Sequence, residues 1–401
     1  MSQTLEGWYS HGDWFLSLSQ ALYVHWPYCA SKCPYCDFNS HVQREVDEEE
    51  FVKRIFRDLE EAYDRFDRYP LHSIFFGGGT PSLMNPSSVA KILDHVHQLW
   101  PILPQVEITL EANPSSVENQ RMKDFAHAGV NRFSIGIQSL RDDALRKLGR
   151  MHTADEGREA MRIARETVER VSVDLIYARH RQSFADWEEE LSEVLDFGLE
   201  HLSLYQLTIE SGTVYQRLFE QNKLDLPDQE LGADMFEQTI LSCQNKGMYH
   251  YEISNFAKLG EESRHNMTYW RYLPYIGVGP GAHGRPRMEG KVFQTSLPLS
   301  PRDWLMRAQT LLEPLSPEDE RTERLLMGLR LHEGLSLSPL RDLGWIINPH
   351  ALEEKVPPSC LAQFTEEKLV LSDQGRMVLE YLLPEIDSCF YHRSGCNPDG
   401  K

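Results

Sequence analysis

The chain has 401 residues, 41% hydrophobic and 25% charged, a globular composition with material for one large core and one smaller one. Its 61 acidic and 41 basic side chains give a formal charge of −20, which repels phosphate backbones and argues against nucleic acid as a partner. No apolar run is long enough to cross a bilayer, which leaves at most peripheral membrane contact, and Met1 to Phe15 lacks both the order of a secretory signal and the Arg-rich pattern of a transit peptide, so a cytoplasmic location is expected.

After an N-terminal arm over residues 1–20, short β-branched and aromatic runs alternate with helical patterns. Six strands are expected, at Leu22–His25, Ser73–Phe76, Val106–Leu110, Arg132–Ile137, Val171–Ile176 and His201–Leu207. Amphipathic helices fall between them at Glu50–Phe66, Ser88–Trp100, Ala154–Arg170 and Phe184–Phe197. A repeated βα unit argues for α/β architecture with a parallel sheet, either open and doubly wound or rolled into a partial (β/α)6 TIM-like barrel over residues 21–245. Residue placement favours the barrel. Cys29, Cys33 and Cys36 follow the first strand, Gly77 to Thr80 the second, Glu111 the third and Gln138 the fourth, while Asp174 lies near the end of the fifth. In a (β/α) barrel that end carries the active site.

Beyond residue 210 the rhythm breaks, and the barrel is expected to end. Asp228–Lys246 reads as a helix and Tyr249–Ile253 as a strand, followed by the Gly-rich run Gly277-Val-Gly-Pro-Gly281 inside a connecting segment over 246–299. Helices at Asp303–Leu312 and Glu318–Leu331 then lead to a strand, turn and helix over 369–383, a mainly helical, winged-helix-like domain over 300–384 with a tail over 385–401. Between Lys355 and Leu383 only three residues are basic, too few for a DNA footprint.

The seven cysteines are an odd count without an export signal, which favours reduced thiols or metal ligation over a disulfide framework. Cys29, Cys33 and Cys36 are spaced C-x3-C-x2-C. Thiolates are the usual ligands of a four-iron, four-sulfur (4Fe-4S) cluster. Three of them on one loop leave one iron open for a chelating amino-carboxylate such as the methionine end of S-adenosylmethionine (SAM), whose radical chemistry belongs to the cofactor. The rival is a zinc-stabilised, non-redox interaction protein in which Cys33 and Cys36 pair with Cys389 and Cys396, although the six-residue gap between the latter two is wide for a zinc knuckle. Cys243 and Cys360 read as buried or incidental thiols.

Taken together, the cysteine loop, Gly77-Gly-Gly-Thr-Pro81, Glu111 in Leu-Glu-Ala-Asn-Pro, Gly136-Ile-Gln138, Leu148-Gly-Arg150 and Asp174 in Val-Asp-Leu-Ile-Tyr resemble radical SAM proteins related to oxygen-independent coproporphyrinogen III oxidase, over residues 21 to 383. His265-Asn266-Met-Thr-Tyr269-Trp270 is similar to the His-Asn-x-x-Tyr-Trp signature of the heme chaperone branch, the HemW family. The resemblance implies SAM contacts for Tyr23, Tyr35, Gly78, Gly79, Thr80, Glu111, Gln138, Arg150 and Asp174. It implies heme contacts for His265, Asn266, Tyr269 and Trp270, with imidazole as a common heme ligand. On the residues alone, Arg150 reads as a solvated helix-end charge, Asp174 as a helix cap, Tyr35 as a surface aromatic and His265 as a satisfied core histidine.

Three departures bear on function. The decarboxylating enzymes carry a fourth cysteine where Phe38 stands here, and a longer N-terminal arm, so coproporphyrinogen is disfavoured as substrate and enzymatic activity stays open. After Asp174 the family continues with a Gly-Leu-Pro-Gly-Gln-like turn, whereas this chain reads Ala178-Arg-His-Arg-Gln182. The expected function is a chaperone that binds heme and a SAM-liganded cluster and delivers heme to acceptor hemoproteins, including respiratory ones. The alternatives are oxidative decarboxylation in porphyrin biosynthesis and the zinc-stabilised protein.

Overall fold

The structure is a computed structural model that describes residues 19–43, 45–306 and 310–393. Strand β1 (Gln20–Trp26) is buried along almost its whole length, as a strand covered on both faces must be. Alongside it run β2 (Leu71–Gly78), β3 (Ile102–Ala112), β4 (Arg132–Gln138), β5 (Arg170–Tyr177) and β6 (His201–Gln206), all parallel. These are the six strands expected from the sequence. Helices α1 (Glu48–Arg65), α2 (Pro86–Leu99), α3 (Ser116–His127), α4 (Asp142–Lys147), α5 (Ala154–Thr167) and α6 (Phe184–Asp196) occupy the crossovers. Phe51, Ile55 and Leu59 are buried along one face of α1, and Val89, Ile92 and Val96 along one face of α2. Capping boxes at Thr153–Glu156 and Ser183–Asp186 begin α5 and α6, each satisfying orphan N–H groups worth about 1 kcal/mol.

The sheet does not stop at residue 245, which corrects the expected barrel boundary. Past α7 (Val214–Glu220) and α8 (Gln229–Asn245), β7 (Tyr249–Glu252) and β8 (Asn255–Ala257) form a hairpin on β6. After α9 (Arg264–Trp270), β9 (Tyr275–Val278) pairs parallel with the free edge of β1. The nine-stranded order is β9-β1-β2-β3-β4-β5-β6-β8-β7. Gly277 disguised β9 as a loop. A Cβ there would meet the His283 carbonyl oxygen at 2.0 Å, so the glycine answers a neighbouring chain and not a turn.

The helix expected over Asp303–Leu312 is also corrected. Helix α10 (Pro301–Leu305) ends early, and β11 (Leu311–Pro314) pairs antiparallel with β10 (Lys291–Ser296). Its buried Trp304 packs against Phe51 at 5.0 Å between ring centroids, and its indole N–H donates to Asp58 at 2.7 Å. Asp58 also pairs with buried Arg54 at 2.6 Å.

The C-terminal region has its own core, built around Leu325, Leu329, Leu340, Leu352, Leu369 and Ile386. It comprises α11 (Pro317–Gly328), α12 (Ser338–Asp342) and α13 (Pro349–Lys355), then α14 (Asp373–Met377) and α15 (Leu379–Asp387). A small sheet of β12 (Leu335–Ser336), β13 (Leu361–Phe364) and β14 (Lys368–Leu371) lies among them. Cys360 and Cys389 are buried in this core and Cys243 in the main one. Within the C-terminal core the Cys389 thiol donates to the Glu385 carbonyl at 3.2 Å. Cys396 lies outside the described residues.

Candidate cofactor site

The chain leaves β1 through Pro27 and enters the cysteine loop at the open end of the barrel. Cys29 is buried, Cys33 and Cys36 are half-buried, and all three are free thiols. The Cys36 N–H donates to the Cys33 carbonyl at 3.2 Å, closing a tight turn between the last two. Side-chain donors turn toward the sulfurs: Thr80 Oγ1 to Cys29 at 3.5 Å and Arg150 Nη1 to Cys33 at 3.6 Å. Ser40 Oγ lies 3.9 Å from the Cys36 sulfur. Burial pushes the Cys29 thiol up against the pull of Thr80, and burial raises Cys36 as well. Metal binding would therefore displace protons. Grouped thiols with outer donors of this kind fit the donor set of an iron–sulfur cluster.

The glycines at 77–79 bring β2 up against the cysteine loop. Gly78 has φ +116°, and a Cβ there would meet the His25 ring at 2.5 Å; one on Gly79 would meet the Tyr28 carbonyl at 2.7 Å. Their smallness is thus used by the chain itself. The Gly79 N–H donates to Trp26 O at 2.7 Å and the Thr80 N–H to Tyr28 O at 2.9 Å.

Below the loop, alternate residues of the parallel strands face the barrel interior. The Gly78 N–H donates to Glu111 at 3.1 Å. Burial, reinforced by the Asp174 carboxylate, pushes Glu111 up to about 8, and no cationic side chain among the described residues pulls it down. Burial lifts Asp174 to about 6 against hydrogen bonds from Ser203 and Ser134 and the charge of Arg132. Two neighbouring acids held this way match a ligand that brings its own positive charge, as SAM does through its ammonium and sulfonium groups.

Arg150 is not a solvated helix-end charge: it reaches inward to donate to Asn113 Oδ1 at 2.6 Å and Gly136 O at 2.8 Å as well as to Cys33. Nor is Asp174 a helix cap, since it sits inside β5. Tyr35 is no surface aromatic. Its ring lies 6.1 Å from that of Tyr215, and burial raises its hydroxyl despite the neighbouring Arg150. Gln138 ends β4 with φ +65°, a left-handed conformation rare for a residue with a side chain. The Tyr23 hydroxyl meets His25 Nδ1 at 2.9 Å, and the other ring nitrogen of His25 meets Asn39 O at 2.9 Å. Sequence reasoning missed Asn113, which links Arg150 to Thr80 through a 3.1 Å bond from its amide; its place in the quoted Leu-Glu-Ala-Asn-Pro run was the available signal.

His265 stands elsewhere. Helix α9 packs beneath β1 and β2, and the imidazole fills the barrel floor at 1% exposure. Its Nδ1 meets Ser73 Oγ at 3.0 Å, its Nε2 meets the Tyr269 hydroxyl at 2.7 Å, and its face stacks on Phe75 at 4.9 Å. Both ring nitrogens are engaged, the arrangement of a satisfied core histidine that the residues alone suggest, with the Tyr269 hydroxyl as the Nε2 partner. Trp270 lies under the Arg330 guanidinium, 4.6 Å from the ring centre, and Asn266 bonds toward Tyr251. The motif joins barrel floor to C-terminal core.

A family model described as the radical SAM superfamily matches residues 23–194. A Danio rerio protein named "Radical S-adenosyl methionine domain-containing protein 1, mitochondrial" is 36% identical over 399 residues, covering 94% of this chain and 90% of that protein. "Heme chaperone HemW" of Haemophilus influenzae is 36% identical over 330 residues, covering 80% of this chain and 85% of that one. The Escherichia coli protein of the same name is 38% identical over 288 residues, covering 71% and 75%. Among solved structures, the coproporphyrinogen III oxidase HemN of Escherichia coli superposes with a TM-score of 0.75 at 18% identity, covering 93% of this chain and 90% of that one, a likeness of fold alone.

Proposed function

The chain belongs to the HemW-like family of radical SAM proteins, and from that premise we propose that it is a heme chaperone: it binds heme, holds a SAM-liganded 4Fe-4S cluster on Cys29, Cys33 and Cys36, and passes heme to acceptor hemoproteins. The likeness to proteins named heme chaperones carries the heme half of this reading. The three-thiol loop supports the other half.

When bound, the cluster would supply one-electron chemistry to SAM. The chain's own residues then have distinct tasks. Thr80 and Arg150 direct hydrogen bonds at sulfur, which tunes the potential of a cluster held there. Glu111 and Asp174 would give up protons to meet an ammonium or sulfonium, and Tyr23, Tyr35 and Gln138 would supply further contacts. Glycines 78 and 79 keep β2 close to the cysteine loop.

Relatives whose names carry the word mitochondrial stand beside bacterial ones. No helix among the described residues is long and apolar enough to cross a membrane. The test is anaerobic titration of the iron–sulfur-loaded protein with hemin, followed at the Soret band. Saturation near one heme per chain is expected, and no binding would remove the reading.

A further inference from the structure

The Gly-rich run Gly277-Val-Gly-Pro-Gly281 begins in β9 and leaves it through Gly279 and Gly281, both with positive φ, at 95° and 81°. This turn is anchored from behind. The Gly279 N–H donates to the buried Asp58 carboxylate at 3.2 Å, the same group that holds Trp304, and the Ala282 N–H closes the turn on Gly279 O at 3.1 Å. On its other side the turn offers the Pro280 carbonyl, next to the Leu299 carbonyl from the segment after β10.

Asn39, just past the last cysteine of the loop, fills that seat. Its amide nitrogen donates to Pro280 O at 2.9 Å and to Leu299 O at 3.0 Å, partners 241 and 260 positions away in sequence. Its amide oxygen accepts from His41 Nε2 at 3.2 Å, and its backbone carbonyl accepts from His25 Nε2 at 2.9 Å. The amide cannot be turned over, because its oxygen would then face two carbonyls that have no proton to give. The seat is cut to this side chain: a Cβ on Gly281 would collide with the Asn39 amide nitrogen.

Cys36 stands at the start of the arm that Asn39 ties down. Before it is the turn that its own N–H closes on Cys33 O; after it come Ser40, whose Oγ lies 3.9 Å from its sulfur, and the short parallel pairing of His41–Val42 with Tyr28–Cys29. Between these points Asp37 and Phe38 are exposed, Phe38 at 62%, so packing does little to fix the arm. We propose that Asn39 is a positioning residue for the third cluster thiol: bonded to Pro280 and Leu299, it holds the outgoing arm so that Cys36 keeps its place against Cys29 and Cys33. The assignment rests on the cluster reading above, and it gives the Gly-rich turn a task as the receptor of that arm.

The experiment loads full-length wild type, Asn39→Ala, Asn39→Asp and Gly281→Ala anaerobically with iron and sulfide. Asn39→Asp keeps the shape of the side chain and loses both N–H groups, whereas Gly281→Ala keeps Asn39 and blocks its seat. Every variant retains the three thiols, so iron and sulfide contents equal to wild type are expected. Release of iron to a chelator should be about tenfold faster in each, as the loss of two hydrogen bonds from one tether would cost. The electron paramagnetic resonance g-values of the reduced cluster should shift as well, which general loss of stability in a folded protein does not cause. A lowered urea midpoint in Asn39→Ala and Asn39→Asp, with wild-type iron release and wild-type g-values, overturns the proposal, and so does full equality with wild type. The two Asn39 variants decide alone if Gly281→Ala fails to fold. Wild type that holds no iron after loading defeats the cluster reading itself, whereas loaded wild type with indifferent variants defeats only the role of Asn39.

Discussion

The backbone N–H of His265 donates to the Glu107 carboxylate at 3.1 Å, and through that bond the first turn of α9 is fastened to the third strand of the barrel. Glu107 is 1% exposed and also accepts the N–H of Arg264 at 3.1 Å; Arg132 and Arg170 balance its charge, which brings its carboxyl below the ordinary value despite burial. An acidic group at a helix start meets the positive end of the helix and its orphan N–H groups.

His265→Ala removes the contacts to Ser73 and Tyr269 and leaves a cavity on Phe75. A loss of about 2–4 kcal/mol in unfolding free energy is expected. Hemin bound to the folded variant should keep its Soret position. Urea melts and a hemin titration measure the two, and a folded variant whose Soret band shifts would restore imidazole ligation.

Replacing Cys29, Cys33 and Cys36 together by serine should abolish bound iron and acid-labile sulfide and leave the circular dichroism spectrum in place. The loop is fixed by backbone bonds from Gly79, Thr80 and His41 that do not need the thiols. Iron and sulfide counts on anaerobically reconstituted protein decide it; undiminished metal would overturn the cluster assignment.

Arg150→Ala breaks three contacts at once, to Cys33, Asn113 and Gly136. Charged hydrogen bonds of this kind are worth roughly 1.5–3 kcal/mol each. SAM affinity of the reconstituted protein should fall tenfold or more by equilibrium dialysis. An affinity equal to wild type would mean that Arg150 serves only the loop.

Glu111 titrates near 8 in the folded chain against an ordinary 4.5, and Asp174 near 6 against 3.8. For an acid whose folded value is raised, the folded state keeps a proton that the unfolded chain has lost. Its stabilising contribution is complete below the unfolded value and disappears as pH rises through the folded one. Cofactor-free protein should therefore lose stability from this pair between about pH 4 and 8, and Glu111→Gln should flatten the upper part of that slope. Urea melts at pH 5, 6, 7 and 8 test it; identical slopes for the two proteins would contradict the raised value.

The parts of this architecture set by local pattern were readable in advance. The β-branched and aromatic run at Leu22–His25 marked β1, and the cysteine spacing marked the cluster loop whatever its surroundings. What escaped was set by partners distant in sequence. Strand β9 is four residues with a glycine in the middle, and only its pairing with β1 makes it a strand. Leu311 and Leu312 carry a helical composition yet satisfy their backbones against Thr295 and Ser296. For His265 the residues alone suggested a satisfied core histidine, but the Ser73 bond that occupies its ring comes from nearly two hundred positions upstream, a partner composition does not name.

Helix α9 touches β1 and β2 and is fastened to β3 through Glu107, so three strands far apart in sequence share one seven-residue clamp. Working that clamp loose would unsettle the base of all three together, and with it the spacing of the loops they carry at their other ends.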